Sequence, residues 1–146
     1  MKYLSHSVTE TAGIAGDVLR KISKGKNAHA TVLALYGDLG SGKTTFVQEL
    51  GKLSGIKDTM QSPTFVIIKS YTLQVTRYMQ FFHLDLYRIE RPEELLNLGW
   101  NDILQDQKNL VAIEWAERAE KFLPNNALRI HFKFIDERTR EIDIEK

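Results

Sequence analysis

A glycine-rich segment directly after an apolar run constrains this chain more than any other feature of its sequence. Residues 37–44 read Gly-Asp-Leu-Gly-Ser-Gly-Lys-Thr, and residues 31–36 before them read Thr-Val-Leu-Ala-Leu-Tyr. After the segment, apolar residues at Phe46, Val47 and Leu50 keep helical spacing. A buried strand, a glycine-rich turn and a helix beginning at Lys43 form an anion site, because backbone N–H groups and the helix N-terminus point at the same place.

The residues of this loop predict a site for a nucleoside triphosphate with Mg²⁺. The Lys43 side chain is expected to reach the β- and γ-phosphates, and the Thr44 hydroxyl is expected to bind Mg²⁺. An ordinary glycine-rich surface turn is the alternative, and the strand and helix patterns on either side argue against it. The residues predicted to contact the nucleotide phosphates are Gly37, Asp38, Leu39, Gly40, Ser41, Gly42, Lys43, Thr44 and Thr45.

Length and composition exclude several other classes of protein. A chain of 146 residues predicts one domain, 1–146, without room for a separate substrate domain. The 20 Lys and Arg residues balance 19 Asp and Glu residues, so an autonomous nucleic-acid surface is not expected. The lack of cysteine excludes a disulfide framework and a thiolate zinc site. No apolar stretch approaches the ~20 residues of a membrane span, so we expect a cytoplasmic protein with no membrane contact.

The remaining patterns alternate between helical and strand-like segments. Helices are predicted at 8–22 (capped by Ser7 or Thr9), 43–53, from Pro92, and at 115–122. Strands are predicted at 31–36, 65–75, 77–83, 110–113, 128–135 and 141–144, with 65–75 and 77–83 paired as a hairpin. The alternation predicts an α/β fold of the P-loop NTPase type, with a central, mostly parallel sheet, added antiparallel strands and helices on both faces.

Two acidic residues follow apolar strands and are candidates for the metal and catalytic centre. Glu114 follows the run 110–113, and Asp85 follows the run 81–84. Because the carboxyl ends of parallel strands meet at one edge of the sheet, both carboxylates are expected beside the phosphate loop. Glu114 is the stronger metal-ligand candidate, and Asp85 binds the metal directly or through water, or orients the attacking water. The simpler alternative for each is a surface acid at a strand end.

Five short blocks of the sequence occur in a characteristic order. They are Ser-x-x-Glu-Thr near the N-terminus, Gly-Asp-Leu-Gly-Ser-Gly-Lys-Thr-Thr, Ser-Pro-Thr-Phe at 62–65, His-Leu-Asp-Leu-Tyr-Arg at 83–88, and Glu-Trp-Ala-Glu at 114–117. Together these blocks resemble the TsaE family, the small ATPases needed for threonylcarbamoyladenosine modification of bacterial tRNA. The resemblance runs from about Ser5 to near the C-terminus, and the blocks after the phosphate loop are its more specific part.

The resemblance implies a role for several residues of the catalytic centre. Thr44 and Glu114 would serve Mg²⁺, and Asp85 would be the acidic residue of the catalytic centre. Thr64 would lie in a mobile segment near the γ-phosphate, similar to the first switch of GTPases. Trp115 would pack beside the site, although packing alone explains a tryptophan next to a strand.

The resemblance also implies that the nucleotide is ATP and that the N-terminal block approaches its adenine. Thr9 and Thr11 are the candidate contacts, and Thr9 stands where the family commonly has an acid. The chain contains no Asn-Lys-x-Asp sequence of the kind that reads guanine, which agrees with adenine.

The implied activity is slow ATP hydrolysis that accelerates when partners complete the site. The implied partners are TsaD and TsaB, whose complex modifies adenosine 37 of tRNA, so that tRNA is met indirectly through that complex. Arg88, Arg91 and Arg118 are possible sources of an arginine for the γ-phosphate. Two other classes remain open: a small-molecule kinase, and a nucleotide sensor that binds ATP without hydrolysing it.

Overall fold

A seven-stranded mixed sheet forms the centre of the structure, a computed structural model that describes residues 1–57, 60, 67–74 and 76–145. The strands are β1 (Lys2–Ser5), β2 (Thr31–Tyr36), β3 (Ile68–Thr72), β4 (Gln80–Asp85), β5 (Asn109–Glu114), β6 (Leu128–Asp136) and β7 (Thr139–Ile144). The α-helices are α1 (Val8–Lys24), α2 (Lys43–Leu53) and α3 (Trp100–Gln105), and two 3₁₀ helices span Pro92–Leu98 and Ala116–Phe122.

The order of the strands is β1-β7-β6-β2-β5-β4-β3, and the central four are parallel. Antiparallel pairs β1–β7 and β6–β7 extend one side of this core, and β3 pairs antiparallel with β4 at the other edge. Strand β2 lies between β5 and β6, so the segment that precedes the phosphate loop is at the centre of the sheet. The prediction of a mostly parallel core with added antiparallel strands is therefore confirmed.

Alternate residues of the central strands face two separate apolar layers. Leu33 and Leu35 of β2 pack with Phe46 on the face covered by α1 and α2. Val32 and Ala34 pack with Trp100 on the opposite face, below α3 and the 3₁₀ helices. Because every residue of β2 except the last is buried, its run of apolar residues has no polar alternation. The prediction of helices on both faces is confirmed.

The first helix and the hairpin occur where the sequence predicts them, with shifted ends. Of the two possible caps for α1, the structure has Ser7, whose side chain accepts a hydrogen bond from the Glu10 N–H. The predicted hairpin is present as β3 and β4, in register from Ile68 opposite Leu84 to Thr72 opposite Gln80. Residues 65, 66 and 75 of the predicted strand lie outside the described residues.

The helix predicted over 115–122 is present at Ala116–Phe122, but as a kinked 3₁₀ segment and not as one regular helix. Trp115 has a left-handed backbone with φ of 58°, and the 3₁₀ helix that follows is interrupted at Ala119. Ala116 and Ala119 are fully buried against the sheet. Their spacing of three residues matches the three residues per turn of a 3₁₀ helix, which brings both small side chains onto one face. Strand β1 and helix α3 were not predicted at all.

The described residues contain no helix that is both long enough and apolar enough to cross a lipid bilayer.

Candidate functional site

The glycine-rich loop has a backbone that requires glycine at particular positions. Gly37 has φ of 147°, and a Cβ atom there would lie 2.6 Å from both the Phe132 carbonyl oxygen and Ser41 Oγ. Gly40 and Gly42 also have positive φ values, of 79° and 107°. The loop therefore presses directly against β6, and α2 begins immediately after it at Lys43.

Lys43 is buried within the loop. Its Nζ donates to the carbonyl oxygens of Gly37 and Asp38, the latter at 3.0 Å, and lies 4.2 Å from the ring centroid of Trp115. Burial lowers the pKa of Lys43, and the negative charge of Glu114 is the largest of the effects that oppose this shift. An anion in the loop would favour the charged ammonium in the same way.

Glu114, the last residue of β5, connects the loop to the neighbouring strand. Thr44 Oγ1 donates to Glu114 Oε1 at 2.7 Å, and His83 Nε2 lies 2.6 Å from Glu114 Oε2. An ionised carboxylate only accepts hydrogen bonds, so the imidazole donates through Nε2. Glu114 and His83 are both buried, and each oxygen of the carboxylate therefore has one fixed partner. The orientation of Glu114 is set before any ligand binds.

Asp85 is the last residue of β4 and lies directly opposite Glu114 in the sheet register. Its Oδ1 accepts a hydrogen bond from the Tyr87 N–H at 3.0 Å. Burial raises the pKa of Asp85, and the nearby charge of Glu114 raises it further, while the Tyr87 N–H opposes the shift. Adjacent parallel strands thus place two carboxylates at the same edge of the sheet, as the sequence predicts.

These groups line a cavity of about 520 Å³ with two distinct walls. We call one the phosphate wall, whose residues are Leu39, Gly40, Ser41, Gly42, Lys43, Thr44, Thr45, Asp85, Tyr87, Glu114 and Trp115. We call the other the hairpin wall, whose residues are Ser5, His6, Ser7, Val8, Thr11, Glu137, Arg138 and Arg140.

Most of the site residues predicted from sequence lie on these walls. Gly37 and Asp38 are exceptions that meet the site through their carbonyl oxygens on Lys43. Thr11 lines the cavity and shares a 2.7 Å hydrogen bond with Ser5, whereas Thr9 is exposed on α1 and is not a lining residue. Thr64 lies outside the described residues.

Sequence reasoning missed the arginines of the hairpin wall. Arg138 and Arg140 lie in and after the turn between β6 and β7, which were predicted as strands without any link to the nucleotide. The pairing of Ser5 with Arg140 brings the N-terminal block and this hairpin together. The sequence offers one signal for Arg140. In a strand, residues 140, 142 and 144 share a face, and Arg140 stands on the face that Ile142 and Ile144 mark as apolar.

The residues of the phosphate wall fit Mg²⁺ bound together with phosphates. Within the described ranges, no group of three or more His, Cys, Asp and Glu side chains is arranged to hold a metal by itself. Mg²⁺ is commonly held by one or two carboxylates together with substrate phosphates. Thr44, Glu114 and Asp85 offer one hydroxyl and two carboxylates beside the loop, which agrees with that pattern.

Comparisons with known proteins identify the family. The model of the family described as threonylcarbamoyl adenosine biosynthesis protein TsaE matches residues 5–142. The chain is 41% identical over 118 residues to the tRNA threonylcarbamoyladenosine biosynthesis protein TsaE of Nostoc sp., covering 78% of this chain and 69% of that relative. It is 35% identical to the protein of the same name from Bacillus subtilis, covering 97% and 83% of the two chains.

A solved structure supports the same conclusion. The crystal structure of Bacillus subtilis YdiB superposes with a TM-score of 0.71 at 31% sequence identity, covering 97% of this chain and 82% of that one. The fold is accordingly of the P-loop NTPase type. Since the family model and the relatives cover most of its length, the chain belongs to the TsaE family of threonylcarbamoyl adenosine biosynthesis proteins.

Proposed function

We propose that this protein binds Mg²⁺-ATP and hydrolyses it to ADP and phosphate in the threonylcarbamoyl modification of adenosine 37 in tRNA. The observation that carries the proposal is the 2.7 Å hydrogen bond between Thr44 of the phosphate loop and Glu114 at the end of β5. It joins the hydroxyl expected at Mg²⁺ to the carboxylate expected at Mg²⁺, beside the buried ammonium of Lys43. The pathway follows from the named role of the relatives in tRNA threonylcarbamoyladenosine biosynthesis.

Binding is the task of the loop and of Lys43. The loop amides and the N-terminus of α2 attract the phosphates, and Lys43 exchanges its carbonyl partners for phosphate oxygens. Thr44 and Glu114 would hold Mg²⁺, which, when bound, neutralises charge on the phosphate oxygens. His83 keeps the Glu114 carboxylate in its orientation through the hydrogen bond to Oε2.

We assign the attacking water to Asp85. Its carboxylate lies beside Glu114, and its raised pKa makes it a better proton acceptor than an exposed aspartate. In this proposal Asp85 orients the water and accepts a proton as the water attacks the γ-phosphate. The remaining groups act by positioning and charge stabilisation, which supply most of the catalysis in phosphoryl transfer.

We propose further that hydrolysis is slow in the isolated chain and faster with partners, namely the TsaD–TsaB complex. Of the three arginines suggested from sequence, Arg118 lies near the phosphate wall, 5.7 Å from the Trp115 ring centroid and 5.6 Å from that of Tyr87. It is exposed and stacks on aromatic rings at the rim. A partner that covers this rim would exclude water and stabilise the charge on the transferred phosphoryl group. Hydrolysis would then reset the complex between turnovers.

Phosphate release from purified protein, with and without TsaD–TsaB, tests the proposal. We expect slow release alone, acceleration by the complex, and loss of release in Glu114→Gln with nucleotide binding retained. The matched control is Glu90→Gln, which removes an exposed carboxylate that does not line the cavity and should keep wild-type rates.

Three outcomes would contradict parts of this proposal. Rapid turnover by the isolated chain, unchanged by TsaD–TsaB, would exclude partner stimulation. A phosphorylated acceptor in place of free phosphate would indicate a kinase. A Glu114→Gln variant that still supports tRNA modification would indicate a nucleotide sensor that has no need of hydrolysis.

A further inference from the structure

Arg140 occupies a core-facing position on β7. Ile144 and Ile142 are buried in the apolar layer beneath α1 and α2, and Arg140 is the next residue on the same face. Arg140 lies at the boundary between this apolar layer and the cavity, and it is one of the residues that line the cavity. A charged side chain at such a position needs partners that compensate for its partial burial.

The partners that Arg140 has within the structure are neutral. Its Nη1 donates to the carbonyl oxygens of Asp136, at 2.6 Å, and Thr139, at 3.1 Å. Its guanidinium lies over the Phe134 ring, 4.6 Å from the centroid. Among the residues that the structure describes, no carboxylate forms an ion pair with Arg140. These contacts hold the guanidinium in place and leave its charge without a counter-ion.

The stem of Arg140 packs against the phosphate loop itself. A Cβ atom at Gly42 would lie 3.6 Å from Cγ of Arg140 and 3.9 Å from its Cδ. Gly42 directly precedes Lys43, so the β6–β7 hairpin brings a second cation to the loop from the adjoining wall of the cavity. A polyanion bound by the loop would supply the missing negative charge.

We propose that Arg140 is a second cationic contact, beside Lys43, for the polyphosphate of the bound nucleotide. The proposal rests on the proposed function and adds a binding residue from the hairpin wall. Because a guanidinium presents several N–H donors in a planar fork, it can bind two phosphate oxygens at once. Glu137 and Arg138, in the adjacent turn, line the same cavity with opposite charges, so Arg140 is the residue of this wall on which the proposal rests.

Affinities of Arg140→Gln and Arg140→Lys for Mg²⁺-ATP and for inorganic tripolyphosphate test this role. We expect Arg140→Gln to bind both ligands about ten-fold more weakly, because it loses a charged hydrogen bond. Arg140→Lys keeps the charge and should lose less. Since the lost contact is ionic, the affinity of Arg140→Gln should also depend less on salt.

Lys133→Gln is the matched control, because it removes one exposed positive charge from the same hairpin outside the cavity. Unchanged affinity of Arg140→Gln for both ligands would overturn the inference, as would an equal loss in Lys133→Gln. A loss for ATP alone, or a wild-type chain that binds ATP and ignores tripolyphosphate, would also overturn it. If the wild-type chain does not bind Mg²⁺-ATP, the proposed function itself fails; if Lys43→Ala weakens binding and Arg140→Gln does not, only this inference fails.

Discussion

The two walls of the cavity are built in different ways. On the phosphate wall, the functional groups bind one another: Thr44 holds one oxygen of Glu114, and His83 on the next strand holds the other. On the hairpin wall, the partners of Arg140 among the described residues are carbonyl oxygens and an aromatic ring. The phosphate wall is therefore organised before a ligand arrives, whereas the hairpin wall has charge that a ligand must satisfy. We therefore expect changes on the phosphate wall to affect both binding and turnover, and changes on the hairpin wall to affect binding.

Replacing Thr44 by Val should lower the rate of turnover strongly, because this residue belongs to the phosphate wall. The change removes the hydroxyl that orients Glu114 and is expected at Mg²⁺, so kcat/KM for ATP should fall roughly 10²–10³-fold. Steady-state phosphate release is the measurement. The control is Thr72→Val, the same change at an exposed position on the far edge strand. Equal rates in the two variants would remove the distinction between the walls.

Gly37→Ala should be the most destabilising single change where the loop meets β6. The added Cβ would clash with the Phe132 carbonyl oxygen, so the free energy of unfolding should fall by about 3 kcal/mol. At Gly40, where a Cβ would meet nothing within 4 Å, only the positive φ remains, and Ala should cost about 1 kcal/mol. Urea unfolding compares the two variants. A larger loss for Gly40→Ala would contradict the close packing of loop on strand.

Ser5→Ala should lower stability with little effect on chemistry. The Ser5 hydroxyl makes a buried 2.7 Å hydrogen bond to Thr11, which ties β1 to α1, and its loss leaves a buried hydroxyl unpaired. We expect a decrease of about 1–2 kcal/mol in the free energy of unfolding. Phosphate release by the folded variant should keep the wild-type kcat. Ser70→Ala, at an exposed position on β3, should change stability by less than about 0.5 kcal/mol. A fall in kcat for Ser5→Ala would mean that the hairpin wall takes part in chemistry.

Asp85→Asn should change stability only slightly and, unlike Gly37→Ala and Ser5→Ala, should increase it. Burial raises the pKa of Asp85, so the folded chain binds this proton more tightly than the unfolded chain, and its charged form is destabilising at neutral pH. In magnesium-free protein at pH 7.5, the variant should melt about 3 °C higher than wild type.

The advantage of Asp85→Asn should shrink as the pH falls through the raised pKa and vanish below the ordinary aspartate value of 3.8. Thermal melts between pH 4 and 8 measure this dependence, and hydrolysis should be lost at every pH. An advantage that grows toward low pH would contradict the assigned burial effect. In that case the charged carboxylate of Asp85 on the phosphate wall would not destabilise the fold.

The predictability of each wall follows from how far apart its residues are in sequence. The loop from Gly37 to Thr44 is a local pattern, and acids at the ends of parallel strands converge by a general rule, so Asp85 and Glu114 could be found without a structure. The hairpin wall depends on β1 pairing with β7, a contact between opposite ends of the chain that no local pattern encodes. Strand β1 has only four residues, and both a charged residue, Lys2, and an apolar residue, Leu4, are exposed. Its hydrophobic pattern is therefore too short and too irregular to predict a strand.

Helical type was harder to predict than helix position. The apolar and small residues near 115–122 indicate a helix, but the left-handed backbone of Trp115 and the interruption at Ala119 arise from packing against the sheet. The family resemblance supplied the catalytic roles, and the pKa shifts and the Glu114–His83 contact could come only from coordinates. Thr64 stays a prediction from sequence.

The position of β2 in the sheet also determines when the site can assemble during synthesis. Strand β2 leaves the ribosome early, yet both strands that flank it, β5 and β6, come from the final third of the chain. A nascent chain that ends before Leu128 therefore has one edge of β2 unpaired. It also lacks the Phe132 carbonyl oxygen against which Gly37 packs. The loop cannot reach its final packing in such a chain, and the unpaired edge of β2 is open to pairing with other chains until β6 has been synthesised.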